Sequence, residues 1–293
     1  MHQDQQFDKT ELTAIFDQVE VKESILKAIS RPAEKSKPWH DYRKIFITDK
    51  RIKGGANFWQ ENSAALAKAE ERYGVPAEII IAILGVETSY GGNVGSYRVV
   101  DALSTLAFRY PPRSTFFRSE LGHFLALTRE EGMPVLAPIG SYAGAMGLGQ
   151  FMPSSYRAYA VDFDDDGKRD IWTNPTDAIG SIANYLARHG WQRDEPIVHK
   201  SSISKSIPTL LLEKGSKPSI APATLEQAGV STAHLPSDAN KVALITLTQT
   251  QGEEYWLTRQ NFYSITRYNH SRMYAMAVTQ LAEAILQKHG QQQ

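Results

Sequence analysis

Residues 76–87 read Pro-Ala-Glu-Ile-Ile-Ile-Ala-Ile-Leu-Gly-Val-Glu, and this apolar run constrains the fold more than any other stretch of the chain. Proline is favoured in the first turn of a helix, so Pro76 predicts a helix start. Apolar residues then cover nearly every side of the helix, which predicts that it is buried all round. A chain of 293 residues is long enough to enclose such a helix in a body of other elements.

Glu87 ends this run and continues one of its apolar stripes. Ile80, Ile83, Leu84 and Glu87 follow the i, i+3, i+4, i+7 spacing of one helix face. The helix dipole near the C-terminal end and partial burial both disfavour the ionised carboxylate, which predicts a raised pKa. A carboxylic acid that stays protonated near neutral pH suits general acid catalysis. The alternative is a solvated or salt-bridged glutamate at a helix end.

Composition excludes several classes of protein. The chain has 32 basic and 32 acidic residues, and this lack of a basic surplus argues against nucleic-acid binding. It has no cysteine, so disulfides, cysteine-ligated zinc and a cysteine nucleophile are excluded. The apolar run at 79–86 is far shorter than the ~20 residues of a membrane span. The first six residues are too polar for a signal peptide, so we expect an intracellular protein or an export signal outside this sequence.

Periodicity along the chain predicts a mostly helical body that carries a small β-rich insertion. Helical spacing occurs at 8–30, 57–73, 177–189 and 270–288. The stretch 33–55 is rich in Lys, Pro and Gly and predicts an irregular connector. Residues 195–260 are rich in β-branched residues, with a strand predicted at 242–250 and a turn at 251–253 that leads into 255–257.

A glycine-rich loop at 141–150 is a candidate binding element. Glycine allows the backbone to approach a ligand closely. A ligand held there would receive side-chain hydrogen bonds from Ser141 and Gln150 and an apolar contact from Met146. The alternative is a purely structural glycine turn.

An acidic loop at 162–170 follows the spacing of an EF-hand calcium loop. With Asp162 at position 1, the oxygen ligands would be Asp164 at position 3, Asp166 at position 5, the Lys168 carbonyl at position 7 and Asp170 at position 9. Position 12 is Thr173 instead of glutamate, so Asp177 is the expected substitute in a lengthened loop. The sequence predicts one structural Ca²⁺ that plays no part in catalysis. The alternative is a solvated acidic turn with Asp177 as a helix cap.

Several longer motifs occur in a fixed order, and together they closely resemble the lytic murein transglycosylase B family. They are Gly-Val-Glu-Thr-Ser-Tyr-Gly (85–91), Asp-Ala-Leu-Ser-Thr-Leu-Ala-Phe (101–108), the segment 141–156, Ala-Val-Asp-Phe (160–163) and Arg-Tyr-Asn-His-Ser (267–271). The resemblance implies an α+β, mainly α fold with a lysozyme-like helical core, an additional helical domain and a small antiparallel β domain. The expected division is 1–75 with 262–293 for the helical domain, 76–191 for the catalytic core and 192–261 for the β-rich domain.

The resemblance also implies an activity and a set of site residues. The reaction is cleavage of the β-1,4 bond between N-acetylmuramic acid (MurNAc) and N-acetylglucosamine (GlcNAc), with a 1,6-anhydro product and Glu87 as the single acid/base. Tyr185, Tyr268, Asn269 and Tyr274 match substrate-binding positions of the family. Sugar rings have apolar faces that aromatic rings can cover, although each tyrosine taken alone suits core packing. His270 is expected to be structural and not a base.

The sequence also leads to expectations about partners, location and alternative functions. The resemblance implies peptidoglycan glycan strands as the partner, a periplasmic location and a monomer. Outer-membrane association of a precursor and contacts with cell-wall synthesis proteins stay open. A hydrolysing muramidase of similar fold is the nearest alternative. A non-catalytic peptidoglycan-binding scaffold and a calcium-regulated switch are further ones, and the single acidic loop speaks against the switch.

Overall fold

The computed structural model describes residues 7–30, 37–237 and 239–291, and helices dominate them. In the first half the helices are Lys9–Phe16 (α1), Glu23–Ile29 (α2), Trp39–Phe46 (α3), Asp49–Glu61 (α4), Ser63–Tyr73 (α5), Ala77–Thr88 (α6), Val99–Arg109 (α7) and Ser114–Glu130 (α8). They continue with Pro153–Tyr159 (α9), Pro175–Arg188 (α10), Thr209–Leu212 (α11), Pro222–Gln227 (α12), Gln260–Tyr268 (α13) and Arg272–Gly290 (α14). A short 3₁₀ turn, Pro111–Arg113, joins α7 to α8.

The strands are few and antiparallel. Tyr97–Arg98 (β1) pairs with Ile139–Gly140 (β2). Val198–Ser201 (β3), Ala243–Thr248 (β4) and Glu253–Thr258 (β5) form a sheet in the order β3-β5-β4. The register places Val198 and Ala243 on either side of Thr258. The predicted strand and turn near the C-terminal third are confirmed, and so is the mainly α fold class with a small β part.

Helix α6 is buried as predicted. Ile80 to Leu84 have no exposed surface, and Ile79 is almost fully buried. Glu78 lies in the first turn, where the helix dipole favours a negative charge. Burial is nevertheless the largest influence on its side chain and raises the pKa of Glu78.

The irregular connector predicted at 33–55 is wrong over its described part, which forms α3 and the first half of α4. Thr48 caps α4 by accepting a hydrogen bond from the Arg51 amide. The Arg51 guanidinium then donates to the carbonyl of Gly85 at 2.7 Å and so ties α4 to α6. Packing of α4 against α14 outweighs the low helix propensity of its glycines. Residues 33–36 of the predicted connector lie outside the described residues.

The chain divides into two compact units. The first unit comprises residues 1–33 and 87–182, and its helix α8 packs against both α7 and α9. The second unit comprises residues 34–86 and 183–293, and its long helix α14 packs on α3, α4 and α13. The β-rich part of the second unit has an apolar cluster of its own that includes Leu211, Leu225 and Leu257. The division into three domains expected from the sequence stays a prediction.

No described helix combines the length and the apolar character that crossing a membrane requires.

Candidate active site

Glu87 is the second-last residue of α6 and is half-buried between two buried neighbours, Val86 and Thr88. The backbone changes conformation directly after the helix. Ser89, Tyr90 and Gly91 all have positive φ angles of 51°, 62° and 90°. These values lie in the left-handed region that L residues rarely adopt, so surrounding contacts must hold this turn in place.

Thr88 makes contacts that hold this turn. Its side chain is only 1% exposed. The Thr88 hydroxyl donates to the carbonyl of Leu148 at 2.8 Å and accepts from the amide of Gly91 at 3.0 Å. The Leu148 amide in turn donates to the carbonyl of Ile171 at 2.9 Å. A chain of hydrogen bonds therefore joins the end of α6, the glycine loop and Ile171, the residue directly after the acidic loop.

Replacement of the Thr88 hydroxyl tests this connection. Thr88→Val keeps the side-chain shape but leaves the Leu148 carbonyl and the Gly91 amide without the hydroxyl. We expect it to lower the free energy of unfolding by about 1–3 kcal/mol. Thr88→Ser keeps the hydroxyl and is expected to lose less. Denaturant unfolding of both variants measures the difference, and equal losses would show that the hydroxyl is not what matters.

The two polar side chains of the glycine loop that were predicted to bind a ligand also form hydrogen bonds within the protein. The Ser141 hydroxyl accepts hydrogen bonds from the amides of Ala143 and Ala145 at 3.3 and 3.0 Å. The Gln150 side chain donates to the carbonyls of Gly147 and Val94 at 2.9 and 3.3 Å. Both side chains are half-buried and keep exposed surface.

Met146 is fully buried, and its backbone pairs with Phe151. The sugar contact predicted for Met146 therefore requires movement of the loop, and this role stays a prediction. Gly147 has a φ of 70°, and a Cβ there would lie 2.5 Å from the Ile171 carbonyl. This observation supports the structural interpretation of that glycine.

The tyrosine positions predicted to bind substrate lie in the second unit. Tyr185 is 8% exposed, and its hydroxyl donates to the Arg267 carbonyl at 2.6 Å. The Tyr185 ring meets Tyr268 edge-on at 4.8 Å and stacks on His189 at 4.1 Å. The structure therefore brings Tyr185 and Tyr268 together.

The two remaining positions of this group, Asn269 and Tyr274, differ in exposure, and His270 lies beside the first of them. Tyr274 is 3% exposed in the first turn of α14, and Ser271 caps that helix by accepting from the Tyr274 amide. Asn269 and His270 are exposed. Asn269 can therefore reach a ligand from solvent, whereas Tyr274 has little free surface. The binding roles of both residues stay predictions.

The acidic loop is folded by hydrogen bonds from its own backbone amides to its carboxylates. The Asp162 carboxylate accepts from the amides of Asp166 and Gly167 at 3.1 and 2.8 Å. Asp166 is exposed, and its carboxylate accepts from the Lys168 amide at 2.9 Å. Gly167 has a φ of 90°, as a glycine in a tight turn can.

Asp162, Asp164 and Asp177 converge, with carboxylate oxygens within 4.8 Å of one another. Asp177 has no exposed surface, and its two oxygens accept from the amides of Phe163 and Asp170 at 2.7 and 2.8 Å. Burial raises the pKa of Asp177, the two amides oppose that effect, and the neighbouring Asp164 and Asp162 add to it. Converging carboxylates of which one is buried fit a hard divalent cation, whose charge would offset the repulsion. Asp166 is not in this group.

Sequence reasoning did not identify the role of Asn174. The Asn174 side-chain carbonyl accepts from the Thr176 amide at 3.0 Å, as a helix cap does, while its amide donates to Asp164 at 2.8 Å. Asn174 thus fills the capping role that the alternative interpretation gave to Asp177, which leaves the Asp177 carboxylate directed into the loop. An asparagine directly before Pro175 is the sequence signal that could have indicated this cap.

Comparison with known proteins identifies the family. A family model described as "Transglycosylase SLT domain" matches residues 1–283. The chain belongs to this transglycosylase family. Membrane-bound lytic murein transglycosylase B of Escherichia coli K12 is 42% identical over 289 residues, which cover 95% of this chain and 78% of that protein.

Solved structures of transglycosylases match nearly the whole chain. Soluble lytic transglycosylase SltB1 from Pseudomonas aeruginosa has a TM-score of 0.93 at 52% identity and covers 99% of this chain and 97% of its own. Escherichia coli Slt35 in complex with calcium has a TM-score of 0.89 at 40% identity, covering 99% and 91%. SltB3 from Pseudomonas aeruginosa in complex with NAG-anhNAM-pentapeptide has a TM-score of 0.83 at 31% identity, covering 95% and 74%.

Proposed function

We propose that this protein is a peptidoglycan lytic transglycosylase that cleaves the MurNAc-β-1,4-GlcNAc bond and releases a 1,6-anhydro-MurNAc end. The observation that carries the proposal is the position of Glu87, half-buried at the end of a buried helix in a chain that matches the transglycosylase family over 1–283. The relative SltB3 is known in complex with an anhydro sugar that carries a pentapeptide.

Glu87 is the single acid/base of the proposed reaction. It first donates a proton to the leaving glycosidic oxygen, and the bond from that oxygen to C1 of the muramoyl sugar breaks. It then accepts the proton of the C6 hydroxyl of the same muramoyl sugar, while the C6 oxygen forms a bond to C1. An ordinary glycosidase needs a second carboxylate to activate water or to attack C1. Here the nucleophile is the C6 hydroxyl of the substrate, which is already close to C1 of the same sugar. A second carboxylate is therefore not needed.

The mass of the products tests this proposal against hydrolysis. A lytic transglycosylase releases anhydro-muropeptides that are one water lighter than the products of a muramidase. We expect mass spectrometry of digested murein to find the lighter series. Products of the hydrolytic mass would replace our proposal with a muramidase. Binding without any cleavage would favour the non-catalytic scaffold.

The remaining site residues are proposed to bind glycan. The proposed set is Ser141, Met146, Gln150, Tyr185, Tyr268, Asn269 and Tyr274. The exposed surface of Ser141, Gln150 and Asn269 supports a role in hydrogen bonding. The edge-to-face pair of Tyr185 and Tyr268 supports an aromatic platform for sugar rings.

The acidic loop is proposed to hold one structural Ca²⁺. Asp162, Asp164 and Asp177 would bind it, with Asp166 and the Lys168 carbonyl as further ligands. The convergence of three carboxylates and the calcium complex of the relative Slt35 support this assignment. The bound ion would neutralise the carboxylates and fix the loop, and Glu87 would carry the chemistry.

We further propose the periplasm as the location, a monomer as the working form and the three-domain division given above. Murein lies in the periplasm, and the membrane-bound murein relative supports this location. Outer-membrane association of a precursor and contacts with cell-wall synthesis proteins stay open.

A further inference from the structure

Residues 102–119 form a locally basic stretch of a chain that is neutral as a whole. They contain Arg109, Arg113 and Arg118 and no aspartate or glutamate. The stretch runs from α7 through the 3₁₀ turn into the start of α8, so it lies within the first unit. All three arginines are exposed.

The acidic residues at either end of this stretch are already engaged. Asp101 is buried and pairs with Arg98 at 2.7 Å. Glu120 is buried and accepts from the amide and the hydroxyl of Ser154 at 2.9 and 2.7 Å. Within the described part of the chain, Arg109, Arg113 and Arg118 therefore make no ion pair.

Exposed aromatic rings lie among these arginines. Phe108 is 54% exposed and Phe116 is 38% exposed. The guanidinium carbon of Arg113 lies 4.4 Å from the ring centre of Phe116, and that of Arg118 lies 5.6 Å from the ring centre of Phe108. The Arg118 Nε also donates to the Ala107 carbonyl. We call Phe108, Arg109, Arg113, Phe116 and Arg118 the arginine–phenylalanine surface.

Stacking on the rings orients the guanidinium groups for a planar anion. A guanidinium that lies over a ring keeps its N–H donors directed outward, and those donors match the two oxygens of a carboxylate. Because the rings hold Arg113 and Arg118 in place, less side-chain freedom is lost on binding. The surface thus fits a ligand that offers several carboxylates.

We propose that the arginine–phenylalanine surface is a second murein contact, separate from the proposed catalytic residues, that binds the carboxylates of stem peptides. This inference rests on the proposed function. Each stem peptide ends in a carboxylate, and a pentapeptide is present in the complex of the relative SltB3. Exposed ion pairs are individually weak, but a polymer offers many of them at once and keeps the enzyme near its substrate. A membrane suits this surface less well, because insertion of the rings would also desolvate the cations that lie on them.

Sedimentation with insoluble murein tests this contact. The full chain carrying Glu87→Gln, which is expected to bind murein without digesting it, is compared with the same chain carrying Arg109→Glu and Arg113→Glu. We expect the double charge reversal to weaken binding by about tenfold, since two exposed ion pairs are lost and each contributes up to about fivefold. Removal of the stem peptides with an amidase should weaken the parent to a similar degree and abolish the difference between the proteins. Arg43→Glu is the matched control, because Arg43 is exposed in the last turn of α3 as Arg109 is in that of α7.

Other outcomes would overturn the inference. Equal binding of the parent and the double variant would do so, as would an effect that persists on peptide-free murein. Capture by phosphatidylglycerol vesicles that depends on Arg109 and Arg113 would assign the surface to a membrane. Arg113→Gln removes the positive charge without adding a negative one, and weaker binding by this variant would show that the loss is not a folding defect caused by charge reversal.

Peptide-free glycan oligomers separate this inference from the proposed function. The double reversal made in the chain that retains Glu87 should cleave such oligomers at the parental rate. Failure of the unaltered chain to release anhydro ends from intact murein would overturn the proposed function while leaving the sedimentation result intact.

Discussion

Glu87→Gln is expected to lower the rate of murein cleavage by about 10³-fold, because general acid–base catalysis contributes 10²–10⁴-fold. Glutamine has nearly the same shape as glutamate but can neither donate the proton to the leaving oxygen nor accept one from the C6 hydroxyl. The surrounding contacts of α6 should persist, so the variant is expected to fold normally and to bind murein. Release of anhydro-muropeptides, measured by mass spectrometry at fixed enzyme concentration, gives the rate.

Glu78→Gln is the matched control for this substitution. Glu78 lies on the same helix but in its first turn, and burial raises its pKa. Both substitutions therefore remove a half-buried carboxylate from α6, and only the one at its C-terminal end should reduce cleavage strongly. Equal rates for the two variants would show that Glu87 is not the proton donor. A hydrolysing muramidase would lose its rate as well, so the mass of the products must be read beside the rate.

The parts of the fold that the sequence predicted are those in which local pattern and burial agree. In α6 nearly every position is apolar, which leaves little choice other than a buried helix. In β4 and β5 a turn separates two β-branched or aromatic runs. The irregular connector predicted at 33–55 was wrong because Gly54 and Gly55 have low helix propensity, whereas packing against α14 stabilises a helix there.

The contacts that shape the candidate site could not be predicted in the same way. The Thr88 hydroxyl and the Leu148 carbonyl are 60 residues apart in the chain, and no local pattern indicates that they meet. Glu87 could be identified from the sequence as a candidate acid because it occupies the last position of an apolar stripe. The burial of Met146 could not be predicted, since the glycine spacing of its loop is equally compatible with an open binding loop and a packed one.

Asp177→Ala tests the proposed Ca²⁺ site, and we expect this substitution to lower the free energy of unfolding strongly. The variant removes a buried carboxylate that accepts from the amides of Phe163 and Asp170. Two unsatisfied amides are expected to cost about 2–5 kcal/mol even without metal. With metal, the variant also loses the stabilisation that ligand binding provides, which is about 2.7 kcal/mol when free Ca²⁺ is 100 times its Kd.

Thermal unfolding with excess calcium and with a chelator separates these two contributions. The parent should unfold at a lower temperature in chelator, whereas Asp177→Ala should start lower and respond little to calcium. Asp165→Asn is the control, because Asp165 is exposed on the same loop, lies outside the converging group and has a positive φ of 64° that asparagine tolerates. A parent that does not respond to calcium would mean that the loop is stabilised by its own amide hydrogen bonds. Asp177 would then be an internal hydrogen-bond acceptor whose negative charge has no cation to offset it.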